Sequence, residues 1–172
     1  MPIPIPLTVK VLVVLMDESA VPGLNEAVSN HRWPVLRQPS AGKALKNIRL
    51  IRPQVLIVQV DGSVMILQEA TRLIRFLRTY PPRPGVVAIA SNHTDQTERA
   101  MRAAGVSCYL PEDVDADLIE QSVSQLLANF AAQAAAPAKT QRQIERRVPA
   151  GETARTSNGR PIIVPVAKTE EA

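Results

Sequence analysis

Residues 40–63 read SAGKALKNIRLIRPQVLIVQVDGS. Ala41, Ala44, Leu45, Ile48 and Ile51 recur at helical spacing with basic residues opposite, which predicts an amphipathic helix. Pro53 stops that helix and disfavours helical backbone just before it. The run VLIVQV that follows is apolar and β-branched, the pattern of a strand buried on both faces. It ends abruptly at Asp61-Gly62-Ser63, a turn signal. A helix, a break and a doubly buried strand form part of a parallel α/β unit. Gln59 and Asp61 then stand at the strand's C-terminal end, where open α/β sheets place their chemistry.

The same alternation extends in both directions. Upstream, Val9–Leu15 reads as a strand, a short helix starts at Pro22-Gly23, and Trp33–Leu36 reads as a weak strand between two prolines. Downstream come a helix over 64–79, a Pro-rich turn, the strand VVAIA, and a helix over 95–104 that Gly105 ends in the C′ position. Cys108–Leu110 makes a short strand. Asp115 opens a last helix, with Leu118, Ile119, Val123, Leu126, Leu127 and Phe130 as its expected inner face. Five strands alternating with five helices predict a flavodoxin-like, doubly wound, five-stranded parallel sheet.

Composition sets the frame. The chain has 172 residues, 45% hydrophobic but only 3% aromatic, so its core must be aliphatic. A single cysteine, Cys108, excludes an intramolecular disulfide and suits a reducing compartment. MPIPIPLT lacks the basic start of a signal peptide, and Val11–Met16 is too short to cross a bilayer. A cytoplasmic protein with no membrane partner is the expectation. The net charge of +4 is carried mostly by residues 139–172. The expected division is an N-terminal extension over 1–8, one domain over 9–133, and a Pro/Ala-rich, mildly basic, disordered tail over 134–172. Within the tail, PIIVPV over 161–166 reads either as exposed aliphatics or as a short docking motif.

Two phrases carry a resemblance: GKALKNIRLIRPQVLIVQV over 42–60 and AMRAAGVSCYLPED over 100–113. Through them, and through element order, residues from Val9 to about Ala131 resemble the receiver domain of bacterial response regulators in two-component signalling. In that family an aspartate ending the third strand accepts a phosphoryl group, and an acidic pair after the first strand holds Mg²⁺. A Thr or Ser after the fourth strand and a Lys after the fifth contact the phosphoryl oxygens.

Carried over position by position, the acceptor falls on Gln59, an amide and a poor nucleophile. The acidic pair falls on Met16 and Asp17, followed by Glu18. The hydroxyl falls on Ala90, with Ser91 one residue later, and the lysine falls on Glu112. A unit charge about 4 Å away at an effective dielectric near 20 contributes roughly 4 kcal/mol, so reversing its sign does more than deleting it. The resemblance thus implies a degenerate phosphoacceptor pocket without catalytic residues, metal or cofactor: a pseudo-receiver that regulates by protein contact. In the family, the face built from the fourth helix, fifth strand and fifth helix meets protein partners or a second copy. The matching residues are Arg99, Arg102, Tyr109, Asp113, Asp117 and Gln121. With Ala90 leaving room beneath it, Tyr109 either turns inward permanently or packs at a strand edge.

Two alternatives stand beside that reading. Asp61, two residues past Gln59, is an atypical phosphoacceptor if a register change brings it near Asp17, with Mg²⁺ and the Ser91 hydroxyl; its competing reading is a turn residue. A small-ligand or cation binder, or an enzyme, on the same scaffold would use Asp17, Glu18, Asp61, Glu112 and Asp113. A nucleic-acid role would rest on tail residues Arg142, Arg146, Arg147, Arg155 and Arg160 alone and is not expected. His31 and His93 lack metal-ligand spacing, Cys108 reads as a small buried hydrophobe, and no Gly-rich phosphate loop occurs.

Overall fold

A computed structural model describes residues 9–79 and 81–135. The expected extension over 1–8 and nearly all of the expected tail, including PIIVPV and its arginines, lie outside the described residues. The elements alternate throughout: β1 Val11–Leu15, α1 Pro22–His31, β2 Val35–Arg37, α2 Ala41–Ile51, β3 Val55–Val60, α3 Val64–Thr79, β4 Gly85–Ala90, α4 Asp95–Ala104, β5 Cys108–Leu110 and α5 Ala116–Ala135. All strands are parallel, in the order β2-β1-β3-β4-β5, the flavodoxin-like arrangement.

The alternating side chains of the three central strands divide the core in two. Leu12, Val14, Leu56, Val58, Val86 and Ala88 pack under α2, α3 and α4. Val11, Val13, Val55, Ile57, Val87 and Ile89 pack under α1 and α5. That explains why β3 is apolar without alternation: both of its faces are covered. Pro53 is itself buried. Arg52 ends α2 in the left-handed region at φ 53°, and its N–H is donated to the Ile48 carbonyl. Gly105 caps α4 at φ 98°, a conformation a side chain rarely adopts, as expected for a C′ glycine. Gly23 permits close packing of α1 on the β5–α5 loop: a Cβ there would lie 2.1 Å from the Val114 carbonyl oxygen.

Three expectations change. Leu118 is not on the inner face of α5; it is 45% exposed, while Ile119 and Val123 are buried. Residue 118 sits about 100° around the helix from 119, and the 119–123–126 stripe already fills the space against β3 and β4. Helix α5 also continues to Ala135, past the boundary expected at Gln133. Cys108 is only half-buried, its Sγ 3.9 Å from the Ser122 Oγ. No described helix is long and apolar enough to cross a membrane.

Candidate functional site

The strand register fixes the pocket. Leu15 of β1 pairs with Gln59 of β3, and Gln59 pairs with Ile89 of β4, so the loops after these strands converge at one point of the sheet's C-terminal edge. Gln59 is one of two buried polar residues among those described, at 2% exposure. Its Nε2 donates to Asp17 Oδ1 and to the Ser19 carbonyl, both at 2.5 Å. The other carboxylate oxygen of Asp17 accepts from the Ser91 hydroxyl. The Gln59 backbone carbonyl accepts from the Met16 N–H at 3.2 Å, and Met16 itself is buried in the core.

The three side chains that converge here therefore satisfy one another. In a pocket open to phosphate, Asp17 would offer its oxygens outward; here both are engaged by Gln59 and Ser91. No buried side-chain polar atom among the described residues is left without a partner, as native interiors require. Ala90 is fully buried at the end of β4 and supplies no hydroxyl.

The remaining positions are also committed to local bonds. Asp61 Oδ1 accepts from the Ser63 N–H at 2.9 Å and from the Ser63 hydroxyl at 2.6 Å, an Asx-type turn that starts α3. Asp61 follows directly on β3, whose register with β4 runs unshifted from Val55 to Val60. Glu18 is exposed. Glu112 is exposed, and its Oε2 accepts from the His93 N–H at 2.7 Å, stapling the β5–α5 loop to the β4–α4 loop.

A hard divalent cation wants several free oxygens in octahedral geometry. The pocket presents one carboxylate, already doubly bonded, beside an amide and a methionine. Among the described residues no three His, Cys, Asp or Glu side chains form a cluster able to hold a metal. The donor set does not fit the Mg²⁺ site of an active receiver.

The expected contact face separates into surface and core. Arg99, Asp113, Asp117 and Gln121 are exposed. Arg102 is also exposed and pairs with Glu98 one turn earlier at 2.7 Å. Tyr109 is not a surface residue: at 8% exposure it belongs to the core cluster with Met101, Ala104, Ala88 and Ala90. The small side chains of Ala88 and Ala90 belong to the same cluster. Its hydroxyl lies 2.9 Å from His93 Nδ1, and the rings are tilted at 5.7 Å between centroids.

A shallow cleft of about 460 Å³ opens above this pair, edged by Glu98, Arg102, Pro111 and Glu112. Sequence reading missed His93, which links Tyr109 to Glu112 from the β4–α4 loop. The available signal was a histidine between Ser91 and the Thr94 N-cap, close to two groups that each need a partner.

Burial, reinforced by Glu98 and Glu112, pushes the Tyr109 hydroxyl from 10.0 up to about 12. The phenol is thus harder to ionise in the folded chain than in the unfolded one. Its stabilising contribution is complete below pH 10.0 and is lost as pH rises toward about 12. Denaturant midpoints measured from pH 9 upward should fall across that window in the native chain and fall less in Tyr109→Phe. Equal slopes in the two proteins would show that the hydroxyl is not held as described.

With the geometry established, comparison with solved structures places the fold. A CheY-like response regulator receiver domain protein from Methanospirillum hungatei JF-1 superposes with a TM-score of 0.57 at 15% identity, covering 72% of this chain and 96% of that one. The beryllofluoride-activated NtrC4 receiver domain dimer gives 0.56 at 16%, covering 70% and 98%. A pilus assembly-related protein from Burkholderia pseudomallei K96243 gives 0.53 at 18%, covering 74% and 96%. No protein-family model and no curated protein matches the chain. At these identities the likeness speaks for the fold alone, and that fold, over the described residues, is the one shared by response-regulator receiver domains.

Proposed function

We propose that this chain is a receiver-like module that regulates through protein contacts and does not use phosphoryl transfer. One observation carries the reading: Gln59 stands in the place of the acceptor and, with Ser91, takes up both oxygens of Asp17. A phosphoryl group approaching that point meets an amide rather than a nucleophile, and Glu112 where a cation would help. The inward Tyr109, fixed by His93, holds the α4–β5–α5 side in one arrangement without a phosphorylation signal. What remains available for regulation is surface: Arg99, Arg102, Asp113, Asp117 and Gln121.

Contact energy in protein interfaces concentrates in a few side chains, with arginine prominent among them. Proteins captured by the full chain should bind at least about tenfold more weakly to Arg99→Ala or Arg102→Ala, a loss of about 1.4 kcal/mol. The same complexes should be unchanged by Ser91→Ala in the pocket. Loss of binding in Ser91→Ala with retention in both arginine variants would sink the proposal and give the pocket a ligand of its own.

A further inference from the structure

The charges of this domain are sorted along the strand axis. Five loops lie at the sheet's C-terminal edge: residues 16–21, 38–40, 61–63, 91–94 and 111–115. Together they carry Asp17, Glu18, Asp61, Glu112, Asp113 and Asp115 and contain no Lys or Arg. At the opposite edge, the described connections and the lead-in to β1 carry Lys10, Arg32, Arg52 and Arg83 and contain no Asp or Glu. The last turn of α3 adds exposed Arg78 to that edge.

Helix dipoles explain part of this, since carboxylates favour helix N-termini. Asp115 accepts from the Leu118 N–H at the start of α5, and Asp61 serves its own turn. Dipoles do not explain Glu18 and Asp113, which are exposed and have no hydrogen-bond or ion-pair partner among the described residues.

Apolar surface accompanies both edges. At the acidic edge, Val64 and Met65 at the start of α3 are 67% and 70% exposed. At the basic edge, a cleft of about 460 Å³ is walled by Leu126 and Phe130 and rimmed by Arg78 and Arg83. The C-terminal edge thus presents carboxylates around protruding aliphatics; the opposite edge presents arginines around a mixed cleft with Leu126 and Phe130 in its wall.

We propose that the partner for each edge is the opposite edge of a second copy of this chain, giving a head-to-tail stack along the strand axis. Translation along that axis brings acidic loops onto basic loops without turning the molecule over. Such a contact is heterologous and does not close, so it extends into chains of copies. It shares Asp113 with the contact face proposed above but uses neither Arg99 nor Arg102, and the variants that test it touch no residue of that face.

Sedimentation of the full chain tests it with two variants. Lys10→Glu/Arg83→Glu reverses the basic edge; Glu18→Lys/Val64→Lys reverses the acidic edge and removes an exposed aliphatic. All four positions are in loops or at an exposed helix start, and circular dichroism confirms that each variant is folded. The native chain should grow in average mass with concentration at low salt and revert to monomer near 1 M salt, where screening acts within about 3 Å. Each variant alone should remain monomeric. An equimolar mixture should regain association, because each variant keeps the one edge that the other needs. A native chain that stays monomeric at low salt, or a mixture that stays monomeric, overturns the proposal. So does a basic edge that binds a short DNA duplex in the native chain, loses it in Lys10→Glu/Arg83→Glu, and supports no self-association.

Discussion

Gln59→Asp, which restores the acidic side chain of an active receiver, should destabilise this protein by about 3 kcal/mol in the absence of divalent cations. The substitution removes both hydrogen bonds donated by Nε2, to Asp17 and to the Ser19 carbonyl. Each such hydrogen bond contributes about 0.5–1.5 kcal/mol. It also sets a second carboxylate against Asp17 with no cation nearby, since Glu112 is where a lysine would stand. Like-charge repulsion adds to the lost bonds rather than offsetting them.

The same variant should respond to Mg²⁺ where the native chain does not. Two adjacent carboxylates are a plausible hard-cation ligand set, and a ligand that binds only the folded state raises stability by RT ln(1 + [L]/Kd). The denaturation midpoint of Gln59→Asp should therefore climb with added MgCl₂, while the native midpoint stays fixed. A loss below about 1 kcal/mol in Gln59→Asp would mean that the amide does not hold the loops together as described.

Tyr109→Ala should lower stability by about 4 kcal/mol, because truncating a buried aromatic removes its transfer energy and leaves a cavity. The cavity cannot collapse easily: its walls are Ala88 and Ala90 of β4 and the buried side of α4, all held by the sheet and the core. Tyr109→Phe keeps the ring and removes only the bond to His93, so its loss should be near 1 kcal/mol. Equilibrium urea unfolding of the two variants separates packing from hydrogen bonding. If Tyr109→Ala costs no more than Tyr109→Phe, the ring is not part of the core and the fixed inward placement fails.

Much of the architecture is legible in the sequence because parallel α/β units announce themselves by period. The change from helical spacing in residues 41–51 to the unbroken run 55–60 marks the α2–β3 junction, and Pro53 between them marks the break. The inner face of α5 was only half legible. Leu118 is apolar, and hydropathy alone cannot tell it from Ile119; the difference lies in which residue the sheet lies beneath.

The pocket shows the same division. The amide at 59 and the acid at 112 can be read as substitutions once the family pattern is laid over the chain. What they bond to cannot be read, because Asp17, Ser91 and His93 are brought in from other strands and loops. Ser91 looks misplaced by one residue in sequence, yet in space it reaches the free oxygen of Asp17. Tyr109 is buried in one cluster with small residues at 88 and 90, one of which, Ala90, the sequence pointed to, and is bonded to His93, which it did not.

The claim that the pocket is closed by its own side chains is tested most directly by the intact mass of the full-length protein after incubation with acetyl phosphate and Mg²⁺. The closed pocket predicts no gain in mass, as for Asp61→Asn treated in parallel. A gain of one phosphoryl group in the native chain that disappears in Asp61→Asn would contradict it. The Asx turn at Ser63 would then have to open during the reaction, and the chain would be a working phosphoacceptor.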